Sequence, residues 1–446
     1  MNYIPHTSDE ISTMLEYLGV GSVEDLFGTI PEELRIEGLD LPDPLTEMES
    51  DRLMGNMSDA LMRDRPELSF VGAGAYEHFI PSVVVAVASR GEFYTAYTPY
   101  QAEISQGTLQ AIFEYQTMIC ELVGMEVANA SMYDGASALA EGVLMGMRIN
   151  RGHRVLIPRS IHPFHRQVVG TYLQGLDVEI VEIPWEQDGT VNLDELRSAL
   201  TSDVSSVVIQ NPNFFGCLES VHEVGEVLKG HDAVYIACVN PVSLGILVPP
   251  GEYGADIAVG EGQPLGIPLS FGGPYLGFFA SKMKYLRQMP GRIIGQTEDA
   301  DGKRGYVMTM QTREQHIRRE RATSNICSNQ ALCATMAGIY MTAMGPKGIR
   351  EVAELNWSQS HQAAKRLSEV RGVRKVFEGP FFNEFVIETP VEGREVLKKL
   401  RTQGIMGGLD LSRFYPELGN AILVCVTETK SEDDLERMIE AWRAAL

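Results

Sequence analysis

The sequence predicts an α/β protein: a large, mainly parallel sheet covered by helices, a helical arm before it and a small α/β domain after it. Three observations carry that reading. Short apolar runs alternate with helical stretches through residues 126–280, as strands and crossover helices of a parallel sheet require. The 446-residue length and 44% hydrophobic content allow a large buried core, at roughly 100–200 residues per domain. The texture changes near residue 65 and again at Gly345-Pro346-Lys347-Gly348, which divides the chain into an arm (1–65), a large domain (66–344) and a small domain (345–446).

In the arm, Thr7-Ser8-Asp9-Glu10 reads as a capping box, the Thr7 hydroxyl and Glu10 carboxylate meeting amides that a first helical turn leaves unpaired. Ile11, Met14, Leu15 and Leu18 follow at i, i+3, i+4, i+7, and Gly19 is placed to close the helix. A second short unit runs from Ser22 to Gly28. The arm is expected to be small helices that pack on something larger.

From Phe70 to Pro99 come Gly-Ala-Gly, an aliphatic run and the first of several tyrosines (76, 94, 97, 100 and 115). Leu109, Ile112, Phe113, Cys120 and Val123 mark an amphipathic helix. Strands are expected at 154–157, 178–181, 206–209, 233–236 and 256–259, with helices at 192–200 and 219–229 among them. Apolar on both faces, such strands suit a sheet covered on two sides. Right-handed crossovers should follow, with ligands at the carboxyl ends of the strands. Beyond a helix ending near Met344 the chain reads helix, strands 375–377 and 384–388, helix, strand 422–426, helix.

Composition excludes several functions. Lys and Arg number 37 against 60 Asp and Glu, a formal charge of −23, which opposes contact with nucleic-acid phosphates or anionic membranes. The longest aliphatic run, Val83 to Ala88, falls far short of the about 20 apolar residues that span a bilayer. Met1-Asn2-Tyr3-Ile4-Pro5 shows no basic segment followed by an apolar core, so neither a secretory signal nor a transit peptide is expected. Cysteines 120, 217, 238, 327, 333 and 425 form no Cys-x-x-Cys pair and suit buried thiols in a reducing cytoplasm.

Four stretches could carry chemistry. The first, Asn129 to Ser137, leads into a helix bearing Leu139, Ala140, Val143, Leu144 and Met147. Gly135, Ala136 and Ser137 at its start could offer amides to a phosphate, although Asp134 would repel one; a helix start capped by Asp134 or Ser131 is the plainer account. The second, Gly260 to Gly266, is spaced G-x-G-x-x-x-G, and Pro264 and Pro268 oppose the helix a dinucleotide loop needs. The third, Arg313 to Arg321, gathers four arginines; a salt-bridged surface helix is the simple reading, and an anion clamp of Arg313, His316, Arg318 and Arg319 the functional one. The fourth, His162-Pro163-Phe164-His165, lacks nearby ligands to complete a metal site and reads as a stacking or helix-start histidine. No metal is expected.

Three long runs resemble a known family: Thr95 to Gly107 (TAYTPYQAEISQG), Gly260 to Gly277 with IPLSFGGP inside it, and Arg313 to Asn325 ending ATSN. Together they are similar to the P protein of the glycine cleavage system, in particular subunit 1 of its two-chain form, over essentially the whole chain including Thr427-Glu428. The resemblance implies the aspartate-aminotransferase-like fold (fold type I) of pyridoxal phosphate (PLP) enzymes. It implies a complex that decarboxylates glycine on PLP and passes the aminomethyl group to the lipoyl arm of the H protein, alongside the T and L proteins. It also implies a subunit 2 partner, in a heterodimer doubled to a heterotetramer.

By resemblance to the sister chain, the lysine that anchors PLP falls at Gln263, before the Gly-Gly-Pro turn. The carboxylate that pairs the pyridine nitrogen falls near Ala237. Glutamine cannot form a Schiff base and alanine cannot pair a pyridinium, so the resemblance implies a fold without the chemistry, PLP being held by the partner subunit. Of ten lysines none lies between Lys229 and Lys282. The alternative is a self-sufficient PLP enzyme using Lys282 or Lys284. Tyr97, Tyr100 and Gln101 are expected to wall the partner's site, or else to pack against the arm.

Overall fold

A computed structural model describes residues 6–36, 38–63, 65–326 and 328–446. Met1 to Pro5 and Cys327, on which two of the sequence expectations fall, lie outside the described residues. The chain divides into two compact units, residues 1–65 and 66–446.

In the first unit, α1 (Ser8–Leu18) starts as the sequence predicts. Glu10 Oε2 accepts the Thr7 amide at 2.7 Å, Thr7 Oγ1 accepts the Glu10 amide at 3.3 Å, and Gly19 ends the helix at φ 73°. Two 3-10 turns follow, Glu24–Phe27 and Glu32–Leu34. Before α2 (Glu47–Arg63) the capping pattern recurs unforeseen, Thr46 with Glu49. No described residue of this unit before Arg63 is buried, and Met14, Leu18, Leu34, Leu39 and Leu61 are exposed.

The second unit opens with β1 (Leu68–Ser69), α3 (Ser82–Ala88), α4 (Gly91–Tyr94) and α5 (Gln106–Val123). Then come β2 (Val127–Ala128), α6 (Gly135–Asn150), β3 (Arg154–Pro158), α7 (Pro163–Leu173), β4 (Glu179–Ile183), α8 (Leu193–Ala199), β5 (Val204–Asn211), α9 (Val221–Leu228), β6 (Val234–Val239), β7 (Ile257–Glu261) and β8 (Gly277–Ser281). The seven strands β2 to β8 form one sheet in the order β2-β8-β7-β6-β5-β3-β4. Strands β3 to β7 run parallel, and β8 runs antiparallel to both β7 and β2. Alternate residues feed opposite cores: Val207, Ile209, Tyr235, Ala237 and Ala258 pack with α5, while Val208, Val234, Ile236 and Val259 pack with Leu139 and Val143 of α6. The exception is β4, expected to be covered on both faces. It is the sheet's edge, largely exposed, and carries Glu179 and Glu182 as edge strands do.

The hairpin β9 (Ile293–Glu298) and β10 (Arg304–Thr309) leads to α10 (Gln315–Arg318) and the long α11 (Ala331–Ser368). Within α11, Gly345 at φ 61° and ψ 178° breaks the helical path just before Pro346, where the sequence predicts the break. The remainder is β11 (Arg374–Lys375), β12 (Glu384–Glu388), α12 (Gly393–Thr402), β13 (Ile405–Met406), β14 (Leu409–Asp410), β15 (Ala421–Cys425) and α13 (Glu432–Ala445). Four of these strands make an antiparallel sheet, β11-β12-β15-β14, whose core centres on Phe385, Ile422, Val424, Leu435 and Trp442. Strand β13 instead pairs in parallel with β1 (Leu68↔Ile405, Ser69↔Met406). That pairing carries the Phe70–Tyr76 segment from the C-terminal region toward the carboxyl edge of the large sheet.

Candidate functional site

The chain leaves β7 at Glu261 and turns through residues 262–267 at the carboxyl edge. Gln263 is 2% exposed and its amide is fully used. Oε1 accepts the Tyr76 N–H at 2.8 Å; Nε2 donates to the Tyr76 carbonyl at 2.9 Å and the Ile267 carbonyl at 2.7 Å. A side chain where the resemblance places a cofactor lysine is thus a clasp on the backbone of another segment.

That segment is gripped twice more. Glu384, at the start of β12, accepts the Ala73 N–H on Oε1 at 2.6 Å and the Tyr76 hydroxyl on Oε2 at 2.7 Å. Burial pushes its carboxyl up to about 7 against both hydrogen bonds. Gly72 lies so close that a Cβ would come within 2.4 Å of Glu384 Oε1 and 2.7 Å of Cys425 Cβ, so no larger residue fits. His162 caps α7: its Nδ1 accepts the Phe164 N–H at 3.1 Å, which leaves Nε2 protonated to donate to the Ala73 carbonyl at 2.8 Å. The ring stacks on His165 at 4.6 Å, and burial lowers both histidines, His165 to about 3. The pair is therefore the stacking, helix-start arrangement expected, held neutral by burial, with His162 engaged with backbone.

At the start of α6, Asp134 is the cap and Ser137 its box partner: Ser137 N donates to Asp134 Oδ1 at 2.7 Å. The Gly135 N–H meets Glu261 Oε2 at 2.9 Å, while Glu261 Oε1 accepts Gln263 N at 2.9 Å and Leu276 N at 3.0 Å. Burial raises the Glu261 carboxyl to about 7, the three amides opposing it. Ala237 on β6 is 1% exposed and packs among apolar side chains. The pocket has no amine at Gln263, no acid at Ala237, and carboxylates at the helix start that a phosphate would need. The residues present do not fit PLP.

Lys282 and Lys284 stand elsewhere. Ser281 pairs with Ile257 and Gly277 with Glu261, so both lysines follow the end of β8 that adjoins the start of β7, the edge opposite Gln263. Lys282 Nζ donates to Asp256 Oδ1 at 2.8 Å and the Gly254 carbonyl at 3.1 Å; Lys284 is 3.7 Å from the same carboxylate. Both therefore pair with Asp256 at the edge where β7 begins, as the antiparallel turn of β8 dictates.

The Arg313–Arg321 run is not one helix. It forms a 3-10 turn ending at Arg313, the single-turn α10 and a second 3-10 turn at Arg319–Arg321. The buried Arg313 guanidinium donates to the carbonyls of Met289, Gly291 (3.0 Å) and Met310 (3.1 Å). His316 lies 3.7 Å from Glu314, Arg318 bonds the Thr312 carbonyl at 3.1 Å, and Arg319 is exposed at φ 53°. These four do not converge on an anion, because the break at Glu314 turns Arg313 inward and the others out. In the 97–101 loop, Tyr97 is 86% exposed and Gln101 exposed, whereas Tyr100 bonds Asn329 and lies under the Arg292 guanidinium at 3.9 Å.

Sequence reasoning missed Tyr76, Glu261 and Glu384 as pocket residues. Glu261 had a local signal, a carboxylate two residues before the lysine's place; Tyr76 and Glu384, 308 residues apart, had none.

A mixed seven-stranded sheet, helices on both faces and a small antiparallel sheet after it define the class: a protein of the fold type I architecture of PLP-dependent enzymes. A sphingosine-1-phosphate lyase from Burkholderia pseudomallei shares that fold (TM-score 0.67, 13% identity, 93% of each chain). The model of the glycine cleavage system P-protein family matches residues 1–442. A crystal structure of an inhibitor-bound glycine decarboxylase (P-protein) of the glycine cleavage system superposes with TM-score 0.92 at 44% identity over 100% of both chains. The chain is 53% identical over 440 residues to a probable glycine dehydrogenase (decarboxylating) subunit 1 from Desulfitobacterium hafniense, covering 98% of each. It is 51% identical to one of the same name from Moorella thermoacetica, covering 100% of each. The chain belongs to the glycine cleavage system P-protein family.

Proposed function

We propose that this chain is the non-catalytic subunit 1 of a two-chain, cytoplasmic glycine decarboxylase. Its partner, subunit 2, supplies the lysine and holds PLP; the assembled enzyme decarboxylates glycine and hands the aminomethyl group to the lipoylated H protein, working with the T and L proteins. The observation that carries this reading is Gln263, a residue without an amine whose side chain is wholly engaged with Tyr76 and Ile267. What this chain contributes is a rigid scaffold and a wall. The 1–65 arm, rich in exposed apolar side chains, wraps the partner, the 66–344 domain pairs with its counterpart, and the 345–446 domain completes each protomer. The 97–101 loop faces the partner's pocket, where a tyrosine hydroxyl can orient a substrate carboxylate or cofactor phosphate by hydrogen bonding.

Incubating the purified chain with PLP and reducing with borohydride tests the reading. No phosphopyridoxyl-lysine and no glycine decarboxylation are expected. An adduct on Lys282 or Lys284 would overturn it. Co-expression with subunit 2 should yield a heterotetramer, with an interface above roughly 2,000 Å² per heterodimer; two separate monomers on sizing would refute the assembly.

A further inference from the structure

The Gln263 clasp joins two segments, and both carry apolar side chains into solvent. On one, Phe79 is exposed three residues beyond Tyr76; on the other, Leu269 and Phe271 are exposed beyond Ile267. Between the buried Ile267 and Leu276, the chain from Pro268 to Pro274 forms a surface loop at the carboxyl edge of the sheet. Its shape is fixed by its own hydrogen bonds. The Leu269 carbonyl accepts the Gly272 N–H at 3.1 Å and the Tyr275 hydroxyl at 2.9 Å, and the Ser270 carbonyl accepts the Gly273 N–H at 3.3 Å. These bonds hold Ser270 and Phe271 at φ 46° and 54°, the one place among the described residues where two successive non-glycine residues are left-handed. A bulky side chain is an outlier in that region, and such a conformation persists only where its surroundings impose it. Phe271 is also fully exposed, so its ring gains no burial within this chain. The strained backbone and the bare ring both oppose the fold of the isolated chain, and the loop's bonds keep the ring presented outward.

We propose that Phe271 is the aromatic anchor through which subunit 2 docks on this edge, its ring entering an apolar pocket of that chain with Phe79 and Leu269 at the margin. A preformed loop presents the ring without an ordering cost on association, and aromatic side chains dominate the energetics of buried interfaces. A second copy of this chain is the disfavoured occupant, because each copy carries a charge of −23 and like chains repel. The inference rests on the two-chain reading above and names a place where the partner is held.

The test is calorimetric titration of the purified full chain with subunit 2, parent against variants. Phe271→Gly removes the ring and relieves the left-handed strain, because glycine adopts that region freely. It should weaken the complex by at least about 30-fold, the loss typical of a buried anchor, while the isolated chain melts at or above the parent's midpoint. Ser270→Gly relieves the neighbouring strain and keeps the ring, so its Kd should stay within about threefold of the parent's. The inference is overturned if Phe271→Gly binds subunit 2 as tightly as the parent, or if Ser270→Gly weakens the complex equally. It is overturned as well if Phe271→Gly lowers the midpoint of the isolated chain, which would make the ring part of this chain's own packing. Sedimentation of the isolated chain reads the other occupant: a homodimer that Phe271→Gly dissociates would assign the ring to a second copy and refute the proposal. Parent chains that form no complex refute the two-chain assembly together with this inference; a parent complex untouched by Phe271→Gly refutes this inference alone.

Discussion

Two regions of the second unit were marked by sequence for function, and the structure treats them in opposite ways. Around Gln263 the polar side chains named above are tied to protein: the amide holds Tyr76 and Ile267, Glu384 holds Ala73 and Tyr76, Glu261 holds three amides. In the 97–101 loop Tyr97 and Gln101 project into solvent. The pocket is saturated and inward, the loop open and outward. The contrast teaches that polar side chains at the carboxyl edge of a sheet can be wholly engaged in holding the fold, while those of an outlying loop are left free to meet other molecules.

The largest effect should come from the closed side. Gln263→Leu keeps the volume but strands the Tyr76 N–H and two carbonyls, and should cost about 3–5 kcal/mol in urea unfolding. A cost below about 1 kcal/mol would erase the comparison, because the clasp would then be incidental. On the open side, Tyr97→Phe should leave unfolding within about 0.5 kcal/mol of the parent. In the assembled enzyme, Tyr97→Phe or Tyr100→Phe should slow glycine decarboxylation roughly 10- to 100-fold if the hydroxyl acts in the transition state. Unchanged turnover in both would return the loop to packing.

Acidity sharpens the comparison further. Glu261 and Glu384 are each raised by burial from 4.5 to about 7. A carboxyl held above its unfolded value binds its proton more tightly when folded. Its contribution is full below the unfolded value and is lost as pH rises through the folded one. Stability should therefore fall by on the order of 2 kcal/mol per carboxyl between pH 5 and pH 8, and Glu384→Gln should flatten part of that slope. A flat or rising profile of the urea midpoint would contradict the buried pocket. The smallest effect belongs to the arginine run. Arg318→Ala should change unfolding by about 0.5 kcal/mol or less, and Arg313→Ala by several times that, because three buried carbonyls lose their donor.

Much of the fold was legible. Apolar runs located β3, β5, β6 and β7, the Thr7 box located α1, and Gly345-Pro346 located the break in α11. These are local effects, where a few neighbouring residues decide the backbone through burial on two faces, amide capping or a missing N–H. The long motifs carried the family, and with it the expectation that the lysine position falls at Gln263. Other features depended on partners far away in sequence. That β4 is an edge follows from sheet order, and the Arg313 run lost its helix because carbonyls at 289 and 291 captured the guanidinium.

What the sequence determined alone was the class of fold and the absence of an amine at Gln263, both properties of residue type and spacing. Only the tertiary structure decided what the pocket became. Tyr76 and Glu384 meet from opposite ends of the second unit, and Glu261 turns back to Gly135 across 126 positions. The physical reason is that a buried polar group must find a partner wherever the fold brings one, and that search is settled by packing, not by the neighbours along the chain.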